Sequence, residues 1–217
     1  MIQTEDLKKM IAAMPKVELH VHLEGSIRPE TLQQLARRHP EIPTDLPVWD
    51  LEALRQWFKF KDFPQFAKAF NSVQSFFRTP DDFELIVYEF GREMMIQNIL
   101  YSEVTIAPFT HTHIFDKGLT LANILQGLEE GRRRAREDFG VEMRWIFGFA
   151  RGFCVMKNGG HDLTPAETTL AYAVARKDQG VIGLTVGGDE SVCPPGIFGP
   201  LFRAARQENL LSLPHAG

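Results

Sequence analysis

The chain has 217 residues, 44% of them hydrophobic and 24% charged, with a formal net charge of −4. That is enough apolar material for a sizeable core, as one domain or part of a larger one, and the mild acidity gives no footprint for nucleic acid or acidic lipid. Two cysteines, Cys154 and Cys193, exclude a disulfide framework, no apolar run spans a bilayer, and the start Met1-Ile2-Gln3-Thr4-Glu5-Asp6 lacks the apolar stretch of a signal peptide, so a soluble, cytoplasmic protein is expected.

A first strand closed by His20 and His22 is predicted where apolar Val17, Leu19, Val21 and Leu23 alternate with Glu18, His20, His22 and Glu24. Alternate residues of a strand share a face, so both imidazoles and both carboxylates are expected to point the same way. Such a polar face is costly to bury unless its groups are paired or bind a metal. Two histidines two apart on a strand can offer nitrogens to one cation, and Gly25 then frees the backbone to turn. A helix follows from Pro29, with Leu32, Leu35 and Ala36 as its apolar stripe up to His39-Pro40. The stretch from Ile42 to Pro47 reads as a loop.

Next comes an aromatic-rich helical region carrying Trp57, Phe58, Phe60, Phe63, Phe66, Phe70, Phe76 and Phe77. Asp81-Asp82 open a helix to about Asn98, and Leu100 to Ala107 alternates as a strand. Leu119 to Asp138 is predicted helical, with Arg132, Arg133, Arg134 and Arg136 on its solvated face. Strand is predicted from Met143 to Phe149, helix after Thr164-Pro165, and strand from Val181 to Val186. A helix after Pro194-Pro195 ends near Glu208, and Leu210 to Leu213 begins a last strand, followed by His215.

Strands and helices in strict succession imply βα units and a parallel sheet. A doubly wound sheet would carry a Gly-rich turn after its first strand, and no G-x-G-x-x-G stands there. The fold expected is therefore α/β, a (β/α)₈ barrel of which about five of eight units are present, with residues 1–217 in a single domain. Such a barrel gathers its chemistry at the C-terminal strand ends, and His20, His22, Gly187-Gly188 and His215 all fall there.

These residues closely resemble the adenosine deaminase family of metal-dependent hydrolases. The resemblance rests on Pro15-Lys16-Val17-Glu18-Leu19-His20-Val21-His22-Leu23-Glu24-Gly25-Ser26, on Gly187-Gly188-Asp189-Glu190 and on Pro214-His215-Ala216-Gly217. It implies that His20, His22 and His215 are ligands of a Zn²⁺ ion. It also implies that Gly188 offers a backbone amide to a purine ring nitrogen and that His22 and Glu24 face the substrate. The implied reaction is hydrolytic removal of the exocyclic amine from an adenine-containing nucleoside, releasing ammonia, with a small purine and water as partners. No nucleic acid or membrane partner is expected.

The family's proton-shuttling Glu would follow Gly217, so the resemblance places no catalytic residue within the chain. The 217 residues alone are expected to release no ammonia from adenosine. They are also expected to be poorly soluble, because barrel-closing strand edges stay unpaired. A fragment of a longer enzyme is the favoured reading. A non-catalytic, metal-binding remnant is the alternative from another class, and a metal-dependent hydrolase acting on an amide or ester is a third.

Adenosine-specific members usually carry Arg where Thr105 stands and an acidic residue where Thr185 stands. The stretch Glu103-Val104-Thr105-Ile106-Ala107-Pro108-Phe109-Thr110, with Arg144-Trp145-Ile146-Phe147 and Leu213-Pro214-His215, looks more like aminodeoxyfutalosine deaminases, and adenine deaminases share the His-x-His-Leu-Glu-Gly run. Phe66 and Phe70, four apart on one helix face, resemble a family aromatic pair, although ordinary core packing accounts for most of the region's rings. Thr110-His111-Thr112-His113 is expected to be a solvated loop, His39 and His161 are expected at the surface, and both cysteines are expected to be inert.

Overall fold

The computed structural model describes residues 4–115 and 117–215. Five strands form one parallel sheet in the order β1-β2-β3-β4-β5: β1 is Lys16–His22, β2 Ile99–Ile106, β3 Glu142–Ala150, β4 Val181–Gly187 and β5 Leu211–Ser212. Helices stand between the strands. They are α1 (Thr4–Ala13), α2 (Pro29–Arg38), α3 (Leu51–Trp57), α4 (Phe63–Gln74), α5 (Pro80–Ile96), α6 (Leu121–Phe139), α7 (Thr164–Val174) and α8 (Gly199–Gln207). Neither α1 nor the division of the aromatic stretch into α3 and α4 was foreseen. None of the helices described is long and apolar enough to cross a membrane.

The boundaries follow local chemistry. Asp50 and Asp62 cap α3 and α4 by accepting the N–H groups of Ala53 and Gln65 at 3.0 and 2.8 Å. Thr79 and Asp82 form a capping box at the start of α5. The four returns from helix to strand after β1 each pass through one residue in the left-handed region: Asn98 (φ 56°) before β2, Gly140 (φ 70°) before β3, Gly180 (φ 82°) before β4 and Asn209 (φ 61°) before β5. Asn and Gly are the residues that tolerate this conformation.

The chain divides into two compact units. In the first (residues 1–102 and 125–143) Leu32 and Leu35 of α2, Leu54 of α3, Phe76, Phe77 and Phe83, Ile86 and Val87 of α5 and Leu128 of α6 are buried. Gly127 brings α6 onto the start of α5 so closely that a Cβ there would sit 2.1 Å from the Pro80 carbonyl oxygen. Val17 and Leu19 of β1 are 62% and 56% exposed among the described residues.

In the second unit (103–124 and 144–217) β3 and β4 pair from Trp145 to Ala150, and β4 pairs with β5 at Gly183–Leu211 and Leu184–Ser212. Trp145, Phe147, Leu184, Val186, Ala166, Ala173, Phe198 and Ala205 fill its core. Gly148 on β3 lies between the methyl groups of Thr105 and Thr185; a Cβ there would stand 3.1 and 3.0 Å from them.

Candidate active site

Within the first unit the site is built at the end of β1. His20 and His22 lie on one side of the strand with ring centroids 5.6 Å apart, His20 exposed and His22 half-buried. Burial pushes the His22 pKa below its usual value, against the raising effect of Glu24 and with a further lowering from His20. The consequence is a neutral imidazole, the form that binds metal. Burial also raises the Glu18 carboxyl on the same strand.

The strand stops at His22, because Leu23–Gly25 form a tight helical turn closed by the Ser26 N–H and hydroxyl donating to the Leu23 carbonyl at 3.2 and 2.9 Å. Glu24 falls in that turn, which buries it to 2% exposure, and its charge still acts on the His22 imidazole. Helix α4 supplies the apolar wall. Phe70 meets the His22 ring edge-on at 6.4 Å, Phe66 packs on Phe70 at 5.8 Å, and Phe60 on Phe66 at 5.5 Å. Phe66 and Phe60, farther from His22 in that row, stay 39% and 36% exposed.

In the second unit the site elements follow β4 and β5. The pairing with β4 runs on past Ser212, with Leu213 N–H donating to the Leu184 carbonyl at 3.0 Å and His215 N–H to the Val186 carbonyl at 3.1 Å. The His215 ring stands against Gly187, its Nε2 3.6 Å from where a Cβ would be. Gly188 has φ 103°, a backbone conformation only glycine adopts without strain, which turns the chain sharply at the strand end. Ala216 and Gly217, the rest of that signature, lie outside the described residues.

Thus His20, His22 and Glu24 come together with Phe70 in one unit, and His215 comes to Val186 and Gly187 in the other. Two residues that the sequence reading passed over matter. Arg151, directly after β3, is fully buried; its position after an apolar strand was the available signal. Asp82, read only as a helix opener, is also fully buried and accepts from the Arg78 and Thr79 N–H groups at 3.0 and 2.9 Å.

Two expectations are overturned. His111 is fully buried: the chain after β2 forms a wide helical turn over Thr110–Ile114, with Phe115 N–H donating to the Thr110 carbonyl at 3.1 Å. The turn carries His111 inward, where Lys117 Nζ approaches its Nδ1 at 3.4 Å. His113 remains exposed and stacks on Phe109 at 4.4 Å. His39 is not a surface residue either. Its side chain is 14% exposed and its Nε2 lies 2.7 Å from Asp82 Oδ2, because α2 ends against the start of α5. His161 is exposed as expected.

The adenosine deaminase family profile matches residues 15–217. The chain is 37% identical over 216 residues to an aminodeoxyfutalosine deaminase of Streptomyces avermitilis, covering 98% of this chain and 56% of that protein. It is 33% identical over 205 residues to an adenine deaminase of Rhodospirillum rubrum, covering 94% of this chain and 57% of that one. The chain thus spans little more than half the length of these curated relatives. In fold it is similar to an amidohydrolase of Burkholderia ambifaria solved with bound Zn, at a TM-score of 0.81 and 24% identity, over 100% of this chain and 56% of that one. The succession of βα units is that of the amidohydrolase barrels. From the β1 signature to His215, the chain belongs to the adenosine deaminase family of hydrolases.

Proposed function

We propose that the protein removes the exocyclic amine of an adenine-containing compound by metal-dependent hydrolysis, with His20, His22 and His215 holding one zinc ion. The observation that carries this is the His20–His22 pair on β1, whose second ring is kept neutral by burial. Each of the three histidines offers one ring nitrogen as a ligand atom. Imidazole donors suit zinc, and three protein ligands leave a position open. In a parallel sheet all strands point their C-terminal ends the same way, which favours ligands drawn from the ends of β1 and β5. When bound, the metal supplies an activated water and Lewis acidity.

The remaining assignments concern the chain's own groups. His22 borders the substrate through the ring that Phe70 backs. Glu24, held in the turn after β1, faces the sugar or its equivalent. Gly188 presents its N–H to a purine ring nitrogen. Phe66 and Phe70 provide an apolar surface for the base. Thr105 and Thr185, both buried, place no charge beside Gly148. Their neutrality favours aminodeoxyfutalosine or free adenine over adenosine, in line with the relatives reported above.

Buried thiols at Cys154 and Cys193 suit a reducing compartment, and a cytoplasmic location is part of the proposal. The test is ammonia release by the intact, zinc-loaded protein from aminodeoxyfutalosine, adenine and adenosine. Turnover of at least one is expected. A protein that binds zinc and releases ammonia from none of them is the non-catalytic remnant, and the proposal is then wrong.

A further inference from the structure

Arg151 is the one fully buried cation among the described residues. It leaves β3 directly beneath the turn that follows β4. Its Nη1 donates to the Cys193 carbonyl at 3.1 Å, its Nη2 donates to Glu190 Oε1 at 2.9 Å, and its guanidinium lies 5.8 Å from the centre of the Phe198 ring. Its own backbone also abuts the turn: a Cβ at Gly188 would stand 3.5 Å from Arg151 N. One residue thus touches the segment 188–193 at its beginning, its middle and its end.

The arrangement is poor as packing. Arg151 Nε is buried and has no hydrogen-bond partner among the described residues, and a buried cation that is incompletely bonded is a weak source of stability compared with an apolar side chain of similar size. Its geometry is better matched to orientation. A guanidinium presents several donors in a fixed plane and holds two acceptors at a set separation, which a lysine cannot reproduce. Glu190 is half exposed, so without Arg151 it turns to water and the segment loses its middle anchor.

We propose that Arg151 is a positioning residue that clamps the segment from Gly188 to Cys193 and thereby sets where the Gly188 N–H meets the purine ring. This rests on the role given to Gly188 above. Arg151 acts through the loop and touches no substrate. Its contribution lies in recognition of the base, and the metal centre does not depend on it.

The test is a coupling experiment on the zinc-loaded protein, with adenine and its deaza analogues, each lacking one ring nitrogen, as binding probes. The wild-type protein is expected to bind one analogue about tenfold more weakly than adenine, the loss of one hydrogen bond at a buried donor. In Arg151→Met that penalty is expected to shrink to less than about threefold, with zinc content unchanged. An undiminished penalty in a folded Arg151→Met protein makes Arg151 merely structural and overturns the proposal. If no analogue is penalised in the wild type, the assignment of Gly188 itself fails and takes this one with it. Should Arg151→Met not fold, Glu190→Ala, at a half-exposed position, removes the Nη2 acceptor alone. A reduced penalty there supports the clamp, and an unchanged one refutes it.

Discussion

His22 and His39 both belong to the first unit and are both largely shielded from water, yet their surroundings assign them opposite work. His39 closes α2 with its Nε2 on Asp82 Oδ2 at 2.7 Å, and the same carboxylate gathers the N–H groups of Arg78 and Thr79 and the guanidinium of Arg38 at 3.3 Å. Every polar group of that knot serves the junction between α2 and α5. His22 instead ends a strand, beside a second imidazole and against the edge of Phe70, and burial favours its uncharged form. Shielding alone therefore does not distinguish a structural histidine from a candidate ligand. The neighbours do: His39 is tied to a buried carboxylate, while His22 adjoins a second imidazole, the edge of Phe70 and the charge of Glu24, and burial outweighs that charge.

The sharpest break of this comparison is at its structural pole. Asp82→Ala strips a buried carboxylate from several donors and is expected to lower unfolding stability by about 3–5 kcal/mol, measured by urea titration; a loss below about 1 kcal/mol would mean that the knot is dispensable. His22→Ala is expected to weaken zinc binding by more than about a hundredfold, since even groups that only support ligands contribute 10–100-fold. The metal-free variant should keep nearly its full urea midpoint, and undiminished zinc affinity would remove His22 from the ligand set.

His39→Ala is the converse, a loss of about 2 kcal/mol at unchanged zinc stoichiometry. If it releases the metal, the contrast between the two histidines is wrong. The smallest effect concerns Cys154, which burial pushes up to about 11 from 9.0. A thiol whose folded pKa is raised contributes stability fully below its unfolded pKa and loses it as pH rises through the folded one. Stability should therefore fall between pH 9 and 11, by about 1 kcal/mol at pH 10, in wild type relative to Cys154→Ala. Equal slopes for the two proteins would contradict a buried thiol.

What could be read from the sequence was what repeats locally. Strands β2, β3 and β4 and helices α2, α5 and α6 were foreseen to within a few residues because apolar periodicity and Pro or Asp starts mark them directly. The β1 signature gave both histidines. It did not mark the Leu23–Gly25 turn that carries Glu24, since an alternating pattern does not say what conformation follows the strand. Helix α1 escaped because its acidic start was weighed for export signals and not for helix formation. His111 and Arg151 share a different cause. Both are polar residues whose burial depends on how the segment after a strand folds back, and composition points such residues outward.

The left-handed residues at 98, 140, 180 and 209 have a consequence for how the molecule acquires its order. The helices that precede β2, β3, β4 and β5 each hand the chain on through a reversal settled within a few neighbouring residues, so the strand approaches the sheet already aimed. The strands then pair with their sequential neighbours, as the strand order shows. Growth can advance one unit at a time, and replacing Asn98 or Asn209 by a β-branched residue would delay the arrival of the strand that follows more than it would disturb those before it.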